Sequence, residues 1–183
     1  MTEWQASAAA NDSDALHARF EFRDIAPGEA EAEAEIEQIC FPPNEACSRA
    51  DMMARAAKAP ETFLVAVDRR TGGVAGFING VATDESRFRD AFFTDIGLHR
   101  TDGQTIMILG LDVLPDYRRQ GLGRALVGEY RRRARQAGRR ALVLTCLDRL
   151  VGMYAKMGFR DLGMANSTWG GEQWHEMIME LEP

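Results

Sequence analysis

The sequence predicts one mixed α/β domain of the α+β type, with a mostly antiparallel six- to seven-stranded sheet and flanking helices. Three observations predict it. Runs of β-branched and aromatic residues at Glu61 to Asp68 and Val74 to Val81 are joined by Arg69-Arg70-Thr71-Gly72-Gly73, a hairpin pattern that implies antiparallel pairing. Thr105 to Leu114 carries a continuous apolar run, as expected of a central strand covered on both faces. After it come an amphipathic helix and a second short apolar strand, Ala141 to Cys146, which together make one βαβ crossover.

The remaining elements follow in order. Phe20 to Asp24 alternates as a first strand, and Pro27-Gly28 breaks the chain after it. Glu29 to Ile39 reads as an acidic helix whose apolar residues Ala32, Ile36 and Ile39 recur at helical spacing. Phe41-Pro42-Pro43-Asn44-Glu45-Ala46-Cys47 cannot continue that helix, because two prolines remove backbone donors. This loop leads to Ser48, which caps a helix from Arg49 to Ala59. Thr83 to Gly103 is a polar connection with room for a helical turn. The amphipathic helix runs from Gly121 to Ala137 and closes at Gly138, a second lies near Leu150 to Met157, and strands lie around Phe159 to Met164 and Trp174 to Leu181.

Composition narrows the function classes. With 183 residues, 45% apolar content and a net charge of −6, the chain is long enough for one domain with an adequate core. Residues 20–183 are assigned to it. Met1 to Arg19, rich in Ala, Asp and Ser, reads as a flexible arm without the basic start and apolar centre of a signal peptide. No apolar run approaches the ~18 to 20 residues that cross a membrane, so no membrane partner and a cytoplasmic location are expected. Cys40, Cys47 and Cys146 are odd in number and lack metal-ligand spacing, which argues against a disulfide framework or a metal site. The arginines from Arg131 to Arg140 read as a solvated helix face of an acidic chain rather than a nucleic-acid surface.

Chemistry concentrates in Val113-Leu114-Pro115-Asp116-Tyr117-Arg118-Arg119-Gln120-Gly121-Leu122-Gly123-Arg124-Ala125-Leu126. A strand ends at a proline, a basic loop follows, and a helix opens at Gly121, aiming unpaired backbone N–H groups at one point. Two glycines let the backbone approach a bulky anion, and the helix dipole favours its charge. A Walker loop fails because no Gly-Lys-Ser/Thr follows, and the dinucleotide fingerprint lacks its third small residue. An Arg/Gln-x-x-Gly-x-Gly/Ala loop remains, and the bland alternative is an ordinary glycine-rich turn. Downstream, Tyr154-x-x-x-Gly158-Phe159 ends a helix on a glycine suited to a left-handed cap.

These two signatures, in this order, resemble those of the GNAT superfamily of N-acetyltransferases. Phe41-Pro42-Pro43-Asn44-Glu45-Ala46, Gly76-Phe77-Ile78-Asn79-Gly80, Thr145-Cys146-x-x-x-Leu150-Val151-x-x-Tyr154 and Trp169-Gly170-Gly171-x-x-Trp174 resemble its serotonin (arylalkylamine) branch, especially the bacterial relatives. The resemblance covers residues 20 to 182. It implies the GNAT fold, with a central strand that splays from its neighbour after a bulge, and direct acetyl transfer from acetyl-CoA to a small-molecule amine by a monomer or homodimer. It places the pantetheine arm along Leu111, Asp112 and Val113. The pyrophosphate falls within Arg118, Arg119, Gln120, Gly121, Leu122, Gly123, Arg124 and Ala125, and the acid that protonates the departing thiolate is Tyr154. Phe41, Pro42, Glu45, Met107 and Leu109 are the candidate acceptor-side residues, with no metal.

The departures bear on mechanism. Met107 and Leu109 stand where that branch carries two histidines that relay the amine's proton, and Val81 replaces a serine. An amine with a lysine-like pKa near 10.4 is neutral only about once in 10³ molecules at pH 7. Without a relay the chain has to take the free amine from solution, or use water and a backbone carbonyl. His99 and His175 are weak candidate bases. Two other readings follow, a non-catalytic acyl-CoA-binding or sensor domain and a protein N-terminal acetyltransferase.

Overall fold

A computed structural model describes residues 14–182. Among the described residues seven strands form one sheet: β1 (Phe20–Asp24), β2 (Phe63–Asp68), β3 (Val74–Thr83), β4 (Thr105–Val113), β5 (Ala141–Cys146), β6 (Arg160–Met164) and β7 (His175–Glu180). Their order is β1-β2-β3-β4-β5-β7-β6, antiparallel except for the β4 and β5 pair. The helices are α1 (Ala30–Cys40), α2 (Arg49–Lys58), α3 (Ala91–Thr94), α4 (Leu122–Gln136) and α5 (Asp148–Ala155). The mixed α/β class and the single crossover, through α4, are as expected. None of the described helices is long and apolar enough to cross a membrane.

Local chemistry accounts for the boundaries. Ser48 Oγ accepts the Asp51 amide at 3.1 Å and starts α2. Gly138, at φ 73°, takes the left-handed turn after α4 that a side chain would strain. α5 begins two residues earlier than the sequence suggests, at Asp148. Of the expected arm, residues 1–13 lie outside the described part, whereas residues 14–19 are helical and Leu16 packs on the main core.

Apolar burial divides between the two faces. On one, Ile78, Ile106, Ile108 and Leu144 meet Leu122, Leu126, Val127 and Tyr130 of α4. On the other, Phe63, Val65 and Phe77 lie under Ala34, Ile36 and Met52 of α1 and α2, and Met107 and Val143 join Phe88, Phe92 and Phe93. The connection from Thr83 to Gly103, polar in overall composition, thus carries a buried phenylalanine cluster.

A bulge in β4 shapes the functional region. Asn79 faces Gly110 and Gly80 faces Ile108, so Leu109 is the extra residue. One extra residue exchanges the faces to which the rest of a strand points. Ile106 and Ile108 face α4 before the bulge, and Leu111 and Val113 pack in that cluster after it. Met107 and Leu109 occupy the opposite face, which Asp112 joins beyond the bulge. β4 pairs with β5 only from Thr105 to Met107, and the two strands part beyond.

Candidate active site

Where β4 and β5 part, a cleft of about 690 Å3 opens. Leu109, Gly110, Leu111 and Val113 line one wall, and Leu144 to Leu147, Leu150 and Tyr154 the other.

One end of the cleft is the loop before α4. Arg119 at φ 60° and Gly121 at φ 85° bend the chain so that the helix begins inside the cleft. Among the described residues the amides of Arg119 to Arg124 donate to no backbone carbonyl. Unpaired amides, the helix dipole and adjacent arginines are features that favour a negatively charged group at this end. The loop is anchored from behind. Arg118 Nε donates to Val113 O at 2.8 Å, and Gln120 Nε2 to Asp116 O at 2.7 Å. Arg19 donates to both Asp68 and Gln120, and its guanidinium lies 5.3 Å from the Tyr117 ring centre.

The other end is built from two loops far apart in sequence. Asn44 Nδ2 donates to Gly170 O at 2.8 Å and Trp169 Nε1 to Glu45 O at 2.8 Å, joining the diproline loop to residues 169–174. Trp174 Nε1 donates to Trp169 O, and the Trp169 ring stacks on Phe93 at 4.7 Å. Phe41, Phe93, Trp169 and Trp174 therefore form an aromatic rim with Glu45 at its edge. Burial, together with the Glu172 carboxylate, pushes Glu45 above its ordinary range.

Between the two ends sits a pair of carboxyls absent from the sequence reading as reactive groups. Glu37 lines the cleft at 3% exposure, and Asp112 is fully buried beside it. A methyl group added to Gly110 would stand 3.0 Å from Asp112 Oδ2 and 3.5 Å from Glu37 Oε2. Glu37 Oε1 accepts the Cys47 amide at 2.8 Å, whereas Glu37 Oε2 and both Asp112 oxygens have no hydrogen-bond partner. Burial, then the facing Glu37 carboxylate, holds Asp112 well above the usual carboxylate range.

Helix α1 explains why Glu37 escaped notice. Ala32 and Ile39, expected on its apolar face with Ile36, are exposed, and Glu33 and Glu37 are buried. Glu occupies every second position from 29 to 37, so any face of this helix carries one, and apolar periodicity cannot choose among them. That lack of a carboxylate-free face was the available signal.

The other sequence-derived candidates fall as follows. Phe41, Pro42, Glu45, Leu109, Leu111, Val113, Arg118, Arg119, Gly121, Leu122, Gly123, Arg124 and Tyr154 line the cleft. Met107 is fully buried among phenylalanines, Gln120 turns to Arg19, and Ala125 lies on α4 behind the lining residues. Asp112 sends its side chain toward Glu37 rather than along the apolar cleft wall. Tyr154 packs edge-on against Phe159, and burial pushes its phenol up, so it is held protonated. His99 bonds Glu61 and the Ala82 amide, and His175 pairs with Asp161. Neither lines the cleft. Among the described residues no group of three or more His, Cys, Asp or Glu side chains is arranged to hold a metal ion.

A family model described as "Acetyltransferase (GNAT) family" matches residues 30–159. Serotonin N-acetyltransferase of Mesocricetus auratus is 35% identical over 112 residues, 60% of this chain and 52% of that protein. The chain thus spans about half the length of that curated relative. Among solved structures, the loading GNATL domain of CurA from Lyngbya majuscula has a TM-score of 0.77 at 14% identity, covering 88% of this chain and 98% of that one. The GphF GNAT-like decarboxylase in complex with isobutyryl-CoA has 0.76 at 20%, covering 88% and 100%. A phosphinothricin acetyltransferase from Sinorhizobium meliloti in complex with AcCoA has 0.63 at 20%, covering 89% of each chain. At these identities the likenesses show a shared fold.

Proposed function

The chain belongs to the acetyltransferase (GNAT) family, and from that premise we propose that it moves an acetyl group from acetyl-CoA to the primary amine of a small molecule. The observation that carries this reading is the cleft between β4 and β5, with unpaired amides at one end, Glu45 and aromatic rings at the other, and the Glu37 and Asp112 carboxyls between. Pyrophosphate suits the Arg119 to Arg124 amides. The β4 edge from Ile108 to Val113, unpaired with β5, offers backbone groups to the pantetheine amides, as an added strand would use them.

Chemistry then falls beside Gly110. The amine nitrogen attacks the thioester carbonyl carbon, the C–S bond breaks, and Tyr154 gives the departing sulfur its proton. The burial that raises the phenol also raises the basicity of a thiolate formed in the same dry cleft, so donation does not run against a mismatch created by burial alone.

The rim selects the acceptor. Phe41, Phe93, Trp169 and Trp174 favour an aryl group, and Glu45 attracts a cationic amine, so an arylalkylamine fits better than a polyamine. Release of free CoA thiol, measured with arylalkylamines, polyamines and amino-terminal peptides, tests this. Turnover is expected to be fastest with an arylalkylamine. Preference for the peptides would overturn the small-molecule reading, and no release with any acceptor would overturn the enzyme reading.

A further inference from the structure

We propose that Glu37, with Asp112 beside it, is the proton acceptor for the amine, so that the chain binds its acceptor as an ammonium and does not depend on free amine in solution. The inference rests on the acetyl-transfer reading above. Its basis is geometric. Glu37 is one of the residues that line the cleft, and its Oε2, buried and without a hydrogen-bond partner, lies over Gly110 where the strands have just parted. Gly110 supplies the space, because a side chain there would meet both carboxyls.

Each neighbouring group has a defined relation to the pair. The Cys47 amide holds Glu37 Oε1, which fixes the rotamer and leaves Oε2 for the ligand. Asn79 approaches from β3, with its Oδ1 also unpartnered. Arg55 on α2 is the nearby buried cation, but its Nη2 donates to Phe93 O, and none of the ion pairs among the described residues joins it to Glu37 or Asp112. Cys40 and Cys47 are thiols whose pKa values burial raises, and Arg118 is committed to Val113 O. Two carboxyls so close, neither of them in an ion pair among the described residues, favour a cation between them, and an incoming ammonium supplies it.

The proton count closes. One ammonium proton passes to Glu37 Oε2, and the freed lone pair forms the C–N bond. When the tetrahedral intermediate collapses, the C–S bond breaks and sulfur takes the Tyr154 proton. A second nitrogen proton restores the phenol, the third stays on the amide, and Glu37 releases its proton to solvent before the next turnover.

Glu37→Gln tests the role because the amide keeps an oxygen for the Cys47 N–H and the same shape. Two acceptors are compared, a primary amine with pKa near 10 and one with pKa below 6, with acetyl-CoA affinity measured by calorimetry. For the basic amine, kcat/KM of the unsubstituted chain is expected to level off well below the amine's own pKa. In E37Q it is expected to fall about 10² to 10⁴-fold at pH 7 and to keep rising toward that pKa. The weakly basic amine, already neutral, is expected to lose less than about tenfold, with acetyl-CoA affinity unchanged. An equal loss for both amines marks a structural residue and overturns the proposal, as does an unaltered pH profile for the basic amine. No transfer by the unsubstituted chain to either amine would overturn the acetyltransferase reading itself, and the proton acceptor with it.

Discussion

Arg19 Nη1 donates to Gln120 Oε1 at 2.9 Å, tying the start of the described chain to the loop that opens α4. The same guanidinium reaches Asp68 Oδ2 at 3.1 Å and lies over the Phe20 and Tyr117 rings. The loop proposed to hold the pyrophosphate is therefore braced from outside its own motif. Arg19→Ala removes this brace without touching the cleft, and acetyl-CoA affinity is expected to fall about three- to tenfold, roughly 0.7 to 1.4 kcal/mol. Calorimetry showing no change would mean that the loop holds its shape without Arg19.

Gly123 tests the anion site directly. A methyl group there would meet only Val113 Cγ2 at 3.7 Å, so the fold accommodates a side chain. Gly123→Glu places a negative charge against the pyrophosphate, and affinity is expected to drop by more than about tenfold, over 1.4 kcal/mol. Undiminished binding by a folded variant would move the pyrophosphate elsewhere.

Tyr154→Phe keeps the edge-on contact with Phe159 and removes only the hydroxyl. Loss of a general acid is expected to lower kcat about 10² to 10⁴-fold with little change in acetyl-CoA affinity. If kcat holds while chemistry limits the rate, sulfur takes its proton from another source.

Glu33 predicts a pH effect on stability. Burial pushes its carboxyl up from 4.5 to about 7, and neither oxygen has a hydrogen-bond partner. Between those values the folded chain holds a proton that the unfolded chain has released. The stability of this site is therefore fullest below pH 4.5, declines as pH rises toward 7, and is level beyond. Glu33→Gln removes the decline. Urea unfolding is expected to show the variant gaining on its parent between pH 5 and pH 8, by up to about 3 kcal/mol. A constant difference across that range would show that Glu33 titrates alike in both states.

The sequence by itself determined the fold class, the order of the strands along the chain, and the glycine-containing loop that opens α4 at one end of the cleft. Those features are local. A hairpin turn, an apolar run and the glycine pair at 121 and 123 each act within a few residues, and the backbone chemistry they need is written contiguously. Tertiary structure decided where the cleft carries its carboxyl pair. The extra residue at Leu109 exchanges the faces of β4, and only that exchange brings Asp112 to the side where α1 lies. In an apolar strand a bulge leaves no mark on composition, so Asp112 read as one more residue along the cofactor path. α1 could rotate to present any of its glutamates, and the choice of Glu37 was made by packing of Ala30, Ala34 and Ile36 on the sheet and by the Cys47 amide. The missing histidines were legible at Met107 and Leu109. The carboxyl pair proposed to act in their place required two elements remote in sequence to be placed over one glycine, which short-range pattern cannot specify.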